Sequence, residues 1–129
     1  MSFAELIEKS RSESETLIMK NEALNNLIID IANTILAYIP ENYVIEEVLN
    51  GDKFKVAKVD VEYISYNGEC IAEFKWFDRS TNLCKPTRRT IMNFLRNLDK
   101  ILEKLIEVLR KENLDVDNLL NEVRLKLRV

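Results

Sequence analysis

The chain has 129 residues, a length suited to one domain, with 47 % apolar and 32 % charged residues and a net charge of −3; this excludes a disordered chain and any global attraction to nucleic acid or anionic lipid. It contains no His, which excludes Ser-His-Asp and Cys-His catalysis and removes the commonest metal ligand. Two cysteines, Cys70 and Cys84, are too few for a zinc site or a disulfide framework, so a reducing cytoplasmic setting is expected, with no targeting segment and no membrane span.

Ser2, with Glu5 three residues later, is a capping box that starts a helix. From there Phe3, Ile7, Ser10, Ser14, Leu17, Asn21, Leu24, Ile28, Ile31, Ile35 and Tyr38 alternate by four and three. That is a heptad seam, apolar at both ends and polar in the middle. Pro40 stops it. The stretch SRSESET at 10–16 holds weak helix formers, so one unbroken helix and a break at that stretch both fit.

The middle of the chain reads as β. Both glycines follow Asn, at Asn50-Gly51 and Asn67-Gly68, the dipeptide of type I′ hairpin turns. Three antiparallel strands are predicted, at 43–49, 53–66 and 69–77. A two-residue turn at 67–68 sets Ser65 opposite Cys70, Tyr63 opposite Ala72, Val61 opposite Phe74 and Val59 opposite Trp76. This face is expected to be buried. Lys58, Asp60, Glu62, Ile64, Tyr66, Glu69, Ile71, Glu73, Lys75 and Phe77 fall on the other. Phe54 and Val56 have the opposite parity to Val59, Val61 and Tyr63, which a β-bulge near Ala57 reconciles.

Residues 78–87 read as a loop. A second long helix is predicted over 88–111, with the seam Ile91, Leu95, Leu98, Leu102, Leu105 and Leu109, widened by Phe94, Ile101 and Val108. Asp115, flanked by Leu114 and Leu119, is the predicted N-cap of a last helix over 116–122. The alternating tail VRLKLRV leaves 123–129 as either helix or strand. The expected fold class is α+β in a single domain: helical over 1–40, a β meander over 41–78, and helical again over 86–129.

The outer strand face carries the candidate chemistry. In the predicted register Asp60 lies across from Lys75, and Glu62 across from Glu73. Two carboxylates on neighbouring strands suit a hard cation such as Mg²⁺, which can activate water and stabilise charge on a phosphodiester. An Asp on one strand with Glu-x-Lys on the next resembles the PD-(D/E)xK nuclease superfamily, the restriction-endonuclease-like fold. The resemblance covers residues 43–77. It implies a small Mg²⁺-dependent nuclease with Asp60 and Glu73 on the metal, Lys75 orienting the nucleophile, and Glu22 as a further acid. Without it, the same face is a solvated strand surface with one Asp60–Lys75 ion pair.

Charge is segregated along the chain. Residues 41–73 hold eight acids and three lysines, whereas 85–111 hold eight bases and three acids. Lys85, Arg88, Arg89 and Arg96 cluster at a helix start, which suits phosphate and hence nucleic acid, or pairing with the acidic strands. The heptad seams predict self-association as a coiled coil, most simply a two-fold homodimer whose register Ser10, Ser14 and Asn21 would fix. The leading reading is a non-enzymatic oligomeric interaction protein with no cofactor. The alternatives are the small nuclease and a nucleic-acid-binding accessory protein.

Overall fold

The computed structural model describes residues 1–75 and 78–128. Its elements are α1 (Phe3–Ala37), β1 (Tyr43–Leu49), β2 (Asp52–Lys58), β3 (Glu62–Tyr66), β4 (Glu69–Phe74), α2 (Arg88–Arg96) and α3 (Leu98–Leu127). The class is α+β, but the sheet has four antiparallel strands, not three, in the order β1-β2-β3-β4. The places expected for Trp76, Phe77 and Val129 lie outside the described residues. Among the described residues, no helix is long and apolar enough to cross a membrane.

α1 is one unbroken helix of 35 residues, about 52 Å long. The Ser2 hydroxyl accepts the Glu5 N–H at 3.2 Å and caps its start. The SRSESET stretch is helical throughout. Arg11 donates to Glu15 at 3.2 Å, and Thr16 to the Ser12 carbonyl at 3.1 Å. Such an exposed i,i+4 ion pair is worth about 0.2–0.5 kcal/mol. The far end of α1 has no basic residue in its last turn. Lys58 of β2 supplies one, its ammonium donating to the carbonyls of Leu36 at 3.0 Å and Ile39 at 3.3 Å. A cation there complements the negative end of the helix dipole.

Both Asn-Gly pairs make the expected turns. Their φ angles are 49° and 87° at Asn50-Gly51, and 50° and 79° at Asn67-Gly68. All four fall in the left-handed region that Asn and Gly tolerate. The predicted strand 53–66, however, is two strands. The chain reverses at Val59-Asp60-Val61, pairing Lys58 with Glu62, Val56 with Ile64 and Phe54 with Tyr66. A hairpin, not a bulge near Ala57, resolves the parity conflict. No Gly, Asn or Pro marks that turn.

The reversal inverts the faces predicted for β3. Ile64 and Tyr66 are 0 % and 1 % exposed, while Val59 and Val61 are 47 % and 37 % exposed. A bulge does occur, but in β4. Ser65 pairs with Cys70 as expected, yet Ile64 pairs with Ala72, which makes Ile71 the extra residue. The extra residue flips parity again and returns Ala72 and Phe74 to the buried side. Ile71 is buried as well. Tyr63 therefore faces Glu73, and Glu62 faces Phe74.

The second helical segment differs from expectation at two points. It breaks at Asn97, whose side-chain amide donates to the Asn93 carbonyl at 2.9 Å and to the Tyr66 hydroxyl at 3.2 Å. Such local bonds compete with the helical ladder. Beyond the break, α3 runs without interruption to Leu127. Asp115 lies inside it rather than at a cap, and residues 123–127 are helical rather than strand.

The core lies between sheet and helices. α1 gives it Ile28, Ala32, Ile35 and Leu36; the sheet gives Phe54, Val56, Ile64, Tyr66, Ile71 and Phe74; α2 and α3 give Ile91, Phe94, Ile101 and Leu105. Phe94 meets Tyr66 edge-on, with ring centroids 6.0 Å apart, a geometry that adds to simple area burial.

Cys70 and Cys84 are joined by a disulfide, where no disulfide framework and, on that ground, a reducing setting were expected. The bridge fastens the 78–87 loop along β4, the last strand of the sheet. Asn82 donates to the Ile71 carbonyl at 2.7 Å and accepts the Glu73 N–H at 3.1 Å. The Leu83 N–H reaches the Glu73 carbonyl at 2.9 Å. The loop thus satisfies backbone groups that the bulge and the open edge leave unpaired. At its start, the Arg79 carbonyl accepts from Asn33 of α1 at 2.9 Å.

Candidate functional site

The residues singled out for metal chemistry sit in three different settings. Asp60 lies in the turn between β2 and β3, exposed. Glu73 is half-buried in β4, with its backbone held by Asn82 and Leu83. Lys75 is exposed beyond the end of β4, where its backbone pairs with Asp78 in an isolated antiparallel β-bridge. The predicted cross-strand pairs Asp60–Lys75 and Glu62–Glu73 are not in the strand register. Among the described residues, no group of three or more His, Cys, Asp or Glu is placed to hold a metal ion. Glu22 lies on the exposed face of α1.

Glu62 turns inward instead. Its carboxylate accepts from Arg79 at 2.6 Å and lies 3.4 Å from the Lys58 ammonium, itself tied to the end of α1. These three side chains, with Glu41, Asn42 and Asp60, line a pocket of about 160 Å³. Within it the Glu62 charge is matched on both sides. The cluster joins sheet, loop and helix end, and its Glu62 carboxylate is paired within the chain.

The basic stretch is placed differently. Lys85, Arg88, Arg89 and Arg96 are all exposed. Among the described residues, none of them makes an ion pair with the acidic strands. The start of α2 is held by the Glu69 carboxylate, which accepts from the Thr87 N–H at 2.6 Å and from the hydroxyls of Thr87 and Thr90. The Thr90 hydroxyl, then the Thr87 backbone, hold the Glu69 carboxyl below its usual range. The helix start that the sequence offered to phosphate therefore already carries an internal anion.

Among the described residues, many exposed large apolar side chains lie on the helices. α1 packs on β3, β4 and α2, and α3 on β1 and α2. Those contacts use residues 24–36 of α1 and 98–109 of α3. Beyond them the same stripes continue uncovered. On α1, Phe3, Ile7 and Leu17 lie along the line of Ile28, Ala32 and Ile35, and all three are exposed, Phe3 at 79 %. On α3, Val116, Leu119 and Val123 extend the line of Ile101 and Leu105, and all three are exposed. The two helices thus leave the sheet as bare amphipathic arms.

The α3 arm was hidden in the sequence by Asp115, which reads as a cap. The signal was present: the four-and-three spacing of Leu98, Leu102, Leu105 and Leu109 continues through Glu112 to Val116, Leu119 and Val123. No protein-family model matches the sequence, and comparison with curated proteins and with solved structures finds no match.

Proposed function

We propose that this protein is a non-enzymatic assembly protein, in which helices hold copies of the chain together. The observation that carries this reading is the run of α1 and α3 past the sheet with their core-facing stripes uncovered. Covering apolar surface is worth about 25 cal/mol per Å². Helical arms without tertiary partners are marginal in water. The simplest cover is a second copy in closed two-fold symmetry.

Light scattering on the purified chain tests the reading. The expected mass is at least twice the 15.1 kDa of one chain. A 15.1 kDa species that persists at high concentration overturns it. The same sample tests the nuclease alternative. With Mg²⁺ or Mn²⁺ and DNA or RNA, the assembly reading expects no cleavage beyond that of an Asp60→Ala, Glu73→Ala control. Cleavage by the natural chain that both single changes abolish would replace assembly with catalysis.

A further inference from the structure

The proposed assembly leaves open which surface pairs with which, and the α1 arm carries its own answer. We infer that two copies join through α1 arms packed antiparallel, with the two-fold axis crossing between Glu15 and Thr16. This rests on the assembly reading and specifies its interface.

The inference starts from the order of residues along the α1 stripe. Antiparallel packing about that point sets Ile7 beside the second copy's Leu24, Ser10 beside its Asn21, and Ser14 beside its Leu17. Apolar meets apolar at Ile7 and Leu24, Ser10 comes within reach of Asn21 for a hydrogen bond, and the two layers beside the axis set Ser14 against Leu17. Phe3 and Leu6 then arrive where the second copy's stripe passes under its own body. There Leu24 and Leu27 of α1 form a groove with Met92 and Arg88 of α2. The groove is open, and Leu27 is exposed. Its exposed lining is mainly apolar, and Phe3 and Leu6 are apolar and exposed on the same chain.

The flanking positions choose between registers. In this one, Glu13 of each copy lies beside Lys20 of the other, twice over by symmetry, and Leu6 lies beside Leu27. Sliding one heptad in one direction brings Glu13 against Glu13. Sliding one heptad in the other brings Lys20 against Lys20. Like charges at that spacing repel. A parallel, in-register pair would set Glu13 beside Ile18 and Lys20 beside Asn25, with no ion pair on either flank. Of these arrangements, only this antiparallel register gains opposite charges on its flanks. All of these side chains sit on one continuous helix, and Glu13 and Lys20 are both exposed.

Two measurements on the full chain test the register. The first is charge reversal. Glu13→Lys and Lys20→Glu should each raise the dimer dissociation constant about tenfold, by turning two attractions into two repulsions. The double variant Glu13→Lys/Lys20→Glu should restore it to within about twofold of the natural chain. Circular dichroism confirms that each variant remains folded. The second is the distance between paired spin labels in the dimer. Labels at Glu15, next to the axis, should lie close together, whereas labels at Glu5 should stand roughly 30 Å apart at 1.5 Å per residue. A dimer with no rescue, or with short distances at both positions, keeps the assembly and overturns this register. A chain that is monomeric throughout overturns the assembly itself.

Discussion

The two halves of α1 carry the same pattern and meet different fates. From Leu24 to Leu36 the stripe lies under the sheet, and Ile28, Ala32 and Leu36 are almost fully buried. From Phe3 to Leu17 the same spacing faces solvent. A heptad stripe states which side of a helix seeks cover, but not what provides it. The compositions differ in a way that fits the two roles. The body half includes Ala32, small enough to let the sheet approach, whereas the arm half includes Ser10 and Ser14, with Asn21 at the junction. Polar groups on a stripe cost little when the cover is a matching helix and much when it is a sheet of Ile and Phe.

The sharpest way to break this comparison is to make one substitution in each half. Ile28→Ala opens a cavity in a site that is 1 % exposed and should cost about 2–5 kcal/mol of folding stability. Ile7→Ala, on the same stripe, should cost under about 0.5 kcal/mol in dilute monomer, while weakening association. Urea melts at low and high protein concentration separate the two effects. If Ile7→Ala costs as much as Ile28→Ala in dilute solution, the arm is packed against its own chain and the comparison fails.

The same contrast explains what could be read from the sequence. Helices were legible because the four-and-three spacing persists for many turns, and two hairpins because Asn-Gly supplies positive φ at both central residues. The third hairpin was not legible, because Val59-Asp60-Val61 has no Gly, Asn or Pro and sets two β-branched valines around a single Asp; the switch of apolar parity between Val56 and Val59 was the stronger sign. Along β3 the face assignments were therefore inverted. The catalytic trio depended on one uninterrupted strand, so Asp60 moved to a turn and Glu62 to the inner side. Ala72 and Phe74 were placed correctly only because the Ile71 bulge restored the parity that the hairpin had inverted. The disulfide was illegible for a different reason. Cys70 and Cys84 are 14 residues apart in sequence, and only the fold of the loop along β4 brings them together.

That disulfide sharpens the contrast between body and arm, because it lies wholly in the body. Closing a loop of about 15 residues removes unfolded-state entropy worth about 3 kcal/mol. Reduction, or Cys70→Ser with Cys84→Ser, should therefore lower folding stability by up to that amount. Asn82 and Leu83 still hold the loop to β4, so the folded state should persist. The dimer mass should not change, since neither cysteine lies on the helical arms. Loss of the dimer on mild reduction, with the fold intact by circular dichroism, would link the loop to assembly and erase the distinction.

The finest test uses pH on a polar network in the body. Tyr66 is buried, and its hydroxyl donates to Asp52 at 2.6 Å while accepting from Asn97. Asn67 donates to the other Asp52 oxygen at 3.0 Å. The Tyr66 hydroxyl first, then the Asn67 amide, hold the Asp52 carboxyl below its usual range. A carboxyl lowered in the folded state adds stability above its unfolded pKa, and that stability is lost as pH falls through the lowered value. Burial first, then Asp52, push the Tyr66 phenol up to about 12. A group raised in the folded state adds stability below its unfolded pKa, which is near 10 here, and loses it as pH climbs toward 12. Tyr66→Phe removes both ends of this network. It should cost about 1 kcal/mol at neutral pH and flatten the stability profile at acid and at alkaline pH together. Asp52→Asn should flatten mainly the acid side. The arms hold none of these groups, so dimer dissociation measured in the folded protein should keep the same pH dependence in both variants. An altered profile of association, with folding unchanged, would mean that the network speaks to the arms and that body and arm are not separable.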